Sequence, residues 1–388
     1  MKKKTLLMRA AGAALAIMAG GALAQDWPAR PVTLVVPYTA GGSADAIGRR
    51  LGEVLRKEAN ATVIVENKPG AGASLGTDFV ARAQPDGATL LLASTSPLTI
   101  YPHLSKTNYD PMKDLTPLAS VAVAPVAIVA TKALPVRDFA GLVEYAKAHP
   151  DGVRYGTPGQ GTVAHIGMAA VTAGTGARML HVPYRGNSQA LTDGLGGVVE
   201  LLVVNSDVVL PHVASGALKP LAVMAPQRLA AWPEVPTMAE LKLPQAQYYS
   251  NFGVFAPANL PPAVAQPLQA ALARAVASAE FKDLLAKSYL QPGTAAGAAV
   301  AAVAQVGTSD EIMARVANIG DTVGRILDDA AARGVTPLQA AEELAAARLL
   351  LLALCPQITI GQTMTDTSLH AAAARDDAAA IARLLAGG

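Results

Sequence analysis

Pro31-Val32-Thr33-Leu34-Val35-Val36-Pro37-Tyr38-Thr39-Ala40-Gly41-Gly42-Ser43-Ala44-Asp45 decides how the rest of the chain is read. Val32 to Val36 is a short β-branched and aliphatic run, which predicts a strand. A Gly-Gly turn follows, and Ala44 to Lys57 then carries Ile47, Leu51, Val54 and Leu55 at helical spacing. Strand, glycine-rich loop and helix in that order open an α/β layer. Free amides at a helix start point at whatever sits above them, and glycines let an anion approach the backbone. Ser43 is placed to cap this helix, and Asp45 falls in its first turn, where the helix dipole favours a carboxylate. Tyr38, Ala40, Gly41, Gly42, Ser43 and Asp45 are therefore candidate ligand contacts. A Gly-Gly pair can also be only a tight connection, so this loop needs company.

The company comes from the same pattern repeated along the chain. Val63 to Val65 reads as a second strand, Leu75 to Ala83 as a helix, and Leu90 to Ala93 as a buried strand ending at Ser94 and Thr95, which are further candidate ligand contacts. A crossing into a second lobe is expected around Ala122 to Pro125. Strands are expected there at Val126 to Ala130, Val153 to Tyr155, Met179 to Val182 and Leu201 to Val204. Pro226, Pro233 and Pro236 cluster after the apolar run Leu221 to Met224 and suggest a return crossing near Val223 to Arg228. The expected organisation is a first lobe of residues 25–122 with 226–305 and a second lobe of residues 123–225, each a sheet flanked by helices, with a cleft between them.

Three further loops would face that cleft. Tyr155 to His165 runs Tyr-Gly-Thr-Pro-Gly-Gln-Gly-Thr-Val-Ala-His between a strand and a helix, and offers Gly159, Gln160, Gly161, Thr162 and His165. Val182 to Ser188 offers Pro183, Tyr184, Arg185 and Gly186, with Ser188 as a candidate helix cap. Asn205-Ser206-Asp207 follows a strand and puts Asn205 and Asp207 at its C-terminal end, where open α/β sheets bind ligands. These groups bind rather than react.

Composition narrows the classes. The 388 residues are 52% hydrophobic and 15% charged, enough to bury a core. Residues 1–24 run from Lys2-Lys3-Lys4 through an apolar segment to Ala22-Leu23-Ala24, the pattern of a cleavable export signal cut after Ala24. The apolar run is shorter than a membrane span needs, which weighs against an uncleaved anchor. Without Lys2, Lys3, Lys4 and Arg9 the formal charge turns from +2 to about −2, and a nucleic-acid partner loses its electrostatic footing. A single cysteine, Cys355, allows no internal disulfide, and the six histidines show no metal-ligand spacing. No cofactor or metal is expected.

Two catalytic alternatives remain on the page. Gly186-Asn187-Ser188-Gln189-Ala190 approaches a nucleophile elbow but lacks its last glycine. Gly70-Ala71-Gly72-Ala73-Ser74-Leu75-Gly76 is one residue longer than the dinucleotide fingerprint. They would make the chain an exported serine hydrolase or an NAD-dependent dehydrogenase.

From Asp26-Trp27-Pro28 to about Gln305 the sequence resembles the tripartite tricarboxylate transporter receptors, the Bug-type periplasmic solute-binding proteins. The matching residues run in order through Pro31 to Pro37, Ala40-Gly41-Gly42, Val65 to Gly72, Pro85 to Leu91, Tyr109-Asp110-Pro111, His181 to Gly186, Leu191-Thr192-Asp193 and Pro233 to Thr237. The resemblance implies a two-lobed periplasmic binding fold of type II character that closes on a small carboxylate. It also implies that backbone amides and waters of the loops Ala40 to Asp45 and Gly159 to His165 hold that carboxylate. The expected protein is a non-enzymatic periplasmic monomer that delivers its ligand to membrane permease subunits. Residues 306–388 depart from this pattern. Val316 to Thr322, Gly334 to Pro337 and Ala340 to Ala345 resemble the C-terminal helices of the glutamate/leucine/phenylalanine/valine dehydrogenases. Ser368 to Ala373 with Ile381 to Leu385 resembles part of an ankyrin repeat. The segment is expected to be a helical extension without its donors' activities; the alternative is an interaction protein that uses it.

Overall fold

A computed structural model describes residues 27, 28 and 30–293. The export signal and the 306–388 extension lie outside the described residues. Strands β1 (Val32–Val36), β2 (Val63–Asn67) and β3 (Thr89–Ser94) form a parallel set with β1 in the middle. Helix α1 (Ser43–Ala59) packs back on them through Ile47, Leu51, Val54 and Leu55. It comes close because a Cβ on Gly48 would stand 3.2 Å from Leu92 and Val36, and one on Gly52 3.2 Å from Val63. Helix α2 (Ser74–Ala81) lies after β2.

Strand β4 (Leu115–Ala130) is sixteen residues long and belongs to two sheets. Leu115 to Pro125 pairs antiparallel with β9 (Tyr249–Pro257), which also pairs with β3. Val126 to Ala130 pairs with β7 (Leu201–Asn205) and in part with β8 (Lys219–Val223). Beyond β7 the second sheet continues through β5 (Arg154–Thr157) to β6 (Leu180–Pro183), all parallel. Helices α3 (Phe139–Ala148), α4 (Val163–Thr175), α5 (Asn187–Leu195) and α6 (Ser206–Ala214) flank it. Helices α7 (Pro262–Ala277) and α8 (Ala279–Lys287) return to the first sheet, and β10 (Gln291–Pro292) closes on β4 at Ala122 and Val123.

The result is the two-lobed α/β fold, with each lobe built round its own core. Leu34, Leu92, Leu118, Phe252 and Phe281 lie in the first; Ile128, Leu142, Met168, Val203 and Met224 lie in the second. The return crossing differs from the expectation. Residues 226–248 stay with the second lobe, because Met238, Leu243 and Ala246 fill its core while Trp232 and Val235 cover its other face. The chain returns at β9, where Tyr249 pairs with Pro125. The proline cluster marks turns on the surface of the second lobe, and the apolar side chains between the prolines decide where the segment packs. Among the described residues no helix is long and apolar enough to cross a membrane.

Candidate functional site

Four helices start at one place between the lobes. Gly42 caps α1, Thr162 caps α4, Gly186 caps α5 and Asn205 caps α6. The cavity among them is about 20 Å³, room for a water or two as the cleft stands. The start of α1 contributes Gly42, Ser43 and Ala44; the start of α4 contributes Thr162, Val163 and Ala164. Asn187 and Asn205 come from the starts of α5 and α6, and Tyr38, Ser94, Ser96, Pro158, Ser250 and Phe252 complete the wall. First-turn amides have no partner within their own helix, so each start presents donors and the positive end of a helix dipole. No lysine or arginine stands on the wall.

Hydrogen bonds tie the lobes across this cavity. Ser43 Oγ donates to Asp207 Oδ1 at 2.8 Å and accepts from Asn205 Nδ2 at 3.1 Å. Ser250 Oγ donates to Asn205 Oδ1 at 3.0 Å. The Val163 amide donates to Ser96 Oγ at 3.2 Å. At the rim, Ser188 Oγ donates to the Ala40 carbonyl at 2.8 Å and stands 2.7 Å from Thr39 Oγ1. Burial pushes the Asp207 carboxyl up to about 6 and the Tyr38 hydroxyl, 2.5 Å from Ser94 Oγ, up to about 12. The Asp45 carboxyl moves the other way. Burial opposes its charge, but Arg49, the Gly41 amide and Asn67 together hold it below the usual carboxylate range.

Of the residues expected from sequence, Tyr38, Gly42, Ser43, Ser94, Thr162 and Asn205 come together on the wall. Ala40, Gly41 and Asp45 shape the first loop just outside it, and Asp207 stands behind Ser43. Thr95 Oγ1 accepts from the Asn251 amide. In the second loop Gly159 and Gly161 donate to Thr157 Oγ1 and His165 Nδ1, Gln160 is exposed, and the His165 ring stacks on His181 at 4.1 Å. Burial lowers both imidazoles, His181 to about 3 with His165 adding to the effect. Pro183 and Arg185 are exposed, the Tyr184 hydroxyl donates to Asp193, and Gly186 faces Thr39.

Two capping expectations need correction. Ser43 and Ser188 sit one and two residues inside their helices, after Gly42 and Gly186, so their hydroxyls reach across the cleft instead of capping. The Ser188 hydroxyl is engaged by the Ala40 carbonyl and Thr39 Oγ1. The glycines of the Gly70 to Gly76 segment serve packing. A Cβ on Gly72 would stand 2.5 Å from Tyr101 and from the Gln160 carbonyl, and one on Gly76 2.8 Å from Pro37. Of the wall residues, Ala44, Ser96, Pro158, Val163, Ala164, Asn187, Ser250 and Phe252 were not among the candidates named from sequence. Asn187, directly after Gly186 at a helix start, carried a usable signal; Ser250 and Phe252 reach the cavity only through the pairing of β9.

The model of the tripartite tricarboxylate transporter family receptor matches residues 47–311. A UPF0065 protein of Cupriavidus necator is 35% identical over 298 residues, covering 75% of this chain and 90% of that protein. Rpa4515 of R. palustris, solved with adipate, superposes with a TM-score of 0.71 at 29% identity, covering 77% of this chain and 99% of its own. MatC of Rhodopseudomonas palustris, solved with bound malate, superposes at 0.70 and 28% identity, covering 76% and 100%.

Proposed function

The chain belongs to the tripartite tricarboxylate transporter receptor family, and from that premise we propose that it is an exported receptor that closes its two lobes on a small carboxylate. It then hands the ligand to the membrane permease of such a transporter and catalyses no reaction itself. The observation that carries this reading is the convergence of four helix starts on one cavity whose wall holds no cation. Amide donors and helix dipoles suit a carboxylate oxygen, and glycine at two of the four caps opens the backbone to it. Adipate and malate in the two relatives are small carboxylates of the expected class. The hydrogen bonds from Ser43, Asn205 and Ser188 across the cleft suit a closed form, which a bridging ligand would favour by its differential affinity. A leader of the export type and the family together support a periplasmic location.

The test is a thermal-shift screen of the full chain against mono-, di- and tricarboxylates, amino acids and NAD. A ligand at about 100 times its dissociation constant adds about 2.7 kcal/mol, which raises the melting temperature by several degrees. A shift confined to one carboxylate class is expected. A shift from NAD and none from any acid would overturn the proposal.

A further inference from the structure

Four polar side chains between the lobes share their hydrogens in one order. Ser250 Oγ donates to Asn205 Oδ1, which leaves Asn205 Nδ2 to donate to Ser43 Oγ. Ser43 Oγ accepts there, and its own hydrogen goes to Asp207 Oδ1 at 2.8 Å. A hydroxyl has one hydrogen and two lone pairs, and an ionised carboxylate only accepts. While Asp207 is charged, the Ser43 hydrogen is therefore committed to it.

A bound acid changes this balance. Ser43 lines the cavity, and its amide is one of the free donors at the start of α1. A ligand carboxylate seated there brings a second anion to a hydroxyl that already serves one, and no lysine or arginine on the wall offsets the two. The surroundings of Asp207 supply no counter-charge either. β4 and β7 carry no charged residue, and His212 stands in the last turn of α6. α1 brings Asp45, paired with Arg49, and α5 brings Asp193, which accepts from Tyr184. In the segment that packs behind α6, Arg228 pairs with Glu240, and Glu234 is a further anion. The groups acting on the Asp207 carboxyl are Ser43 and the amides of Asp207 and Val208, with no cation among them. Two carboxylates that share one site without a cation do not both stay ionised. We infer that the receptor takes up a proton together with its carboxylate, and that Asp207 is the site that holds it. The proton passes from solvent to Asp207 Oδ1, which then donates to Ser43 Oγ, and the Ser43 hydrogen turns to the ligand carboxylate. Ser43 Oγ then accepts from Asn205 and Asp207 and donates to the ligand, so every group in the chain is satisfied. Burial already lifts the Asp207 carboxyl to about 6, close enough to neutrality for a neighbouring anion to bring the proton on. This inference rests on the carboxylate reading of the preceding subsection.

Calorimetry on the full chain tests it with malate, adipate, acetate and benzoate between pH 6.5 and 8, where these acids are ionised. Each acid that binds is titrated in phosphate and in Tris, whose different ionisation heats report the protons taken up. About half a proton per ligand is expected at pH 7, which is about a threefold gain in affinity for each unit the pH falls. Asp207→Asn offers Ser43 an amide donor, as the protonated acid would. It should take up no proton, keep one affinity across the range and bind about threefold tighter than the wild type at pH 8. Asp207→Ala should also lose the uptake but show no such gain. Binding without uptake in the wild type overturns the inference and leaves the carboxylate reading standing. Uptake that survives both substitutions assigns the proton to another group, such as His165 or His181, and also overturns it. No heat from any acid overturns the carboxylate reading and this inference with it.

Discussion

The loop that opens α1 and the loop that opens α4 share a sequence texture and differ in what they do with their amides. In the first, the Gly41 amide goes to Asp45, the cap is a glycine without a side chain, and the Ser43 and Ala44 amides have no intrahelical partner at the cavity edge. In the second, the Gly159, Gly161 and Thr162 amides are used within the loop, Thr162 Oγ1 takes the His165 amide, and the Val163 amide crosses to Ser96. One loop keeps the Ser43 and Ala44 amides in reserve for a ligand; the other keeps the Ala164 amide and spends the rest on its own shape and on the opposite lobe. Two glycine-rich helix starts are thus not two copies of one binding device. Glycine content reports backbone freedom, and only the hydrogen-bond partners report where that freedom is used.

The strongest challenge to this contrast comes from the contact between the lobes. Gly186 is extended, so a side chain costs no backbone strain, but its Cβ would stand 2.2 Å from Thr39 Oγ1 and 2.9 Å from the Thr39 amide. Gly186→Val should prop the cleft open and weaken carboxylate binding at least a hundredfold, about 2.8 kcal/mol, with little change in the melting temperature of the unliganded protein. Unchanged affinity in calorimetry would mean that closure does not depend on this contact.

A substitution in each loop separates ligand room from loop shape. At Gly42 a Cβ has space, 3.7 Å from Asn187 Cβ, and the backbone is extended, so Gly42→Ala fills the cavity without straining the fold. About a tenfold loss of affinity at constant melting temperature is expected, about 1.4 kcal/mol. Gly161 has φ +71° and its Cβ would meet Tyr101 at 2.9 Å, so Gly161→Ala should lower the melting temperature before any ligand is added. If both variants changed affinity and stability in the same proportion, the two loops would be equivalent after all.

The cap itself provides a smaller test. Thr162→Ala removes a side-chain cap and should cost about 1 kcal/mol, a fall of about 2–4 °C in melting temperature for a domain of this size. Ser43→Ala should leave α1 as it is, because Gly42 holds the cap position without a side-chain bond; its loss would show in ligand affinity through the bonds to Asp207 and Asn205. Comparable thermal losses in both variants would restore Ser43 as a capping residue.

What the sequence disclosed divides along the same line. The β1 run, the spacing of Ile47, Leu51, Val54 and Leu55, and the glycine loops were legible because their signals are local and periodic. The length of β4 was not, since Pro117 and Pro125 punctuate it and only pairing with β9 and then β7 makes it one strand. The return crossing was misplaced because prolines signal turns but not which core receives Trp232 and Met238. Ser250 and Phe252 were invisible as wall residues for the same reason. Ser43 and Ser188 were misassigned by one or two positions, which is enough to turn a cap into a bond between lobes.

The smallest expected effect separates the carboxylates at the starts of α1 and α6, Asp45 and Asp207, which shift in opposite directions. Asp207 titrates near 6 in the folded protein against 3.8 normally, so the native state holds its proton more tightly. Its contribution is fully present below about 3.8 and is lost as the pH rises through 6, leaving a buried charge as a cost at neutral pH. Asp45 lies below 3.8, so its contribution is present above that value and is lost as the pH falls through its lowered value. Asp207→Asn should therefore melt slightly above the wild type at pH 7.5, with the gain shrinking between pH 6 and 4. Asp45→Asn should melt below the wild type at pH 7.5, with the deficit closing only under stronger acid. Differential scanning calorimetry across pH 3 to 8 reads both curves. Parallel curves would mean that the starts of α1 and α6 share one electrostatic setting.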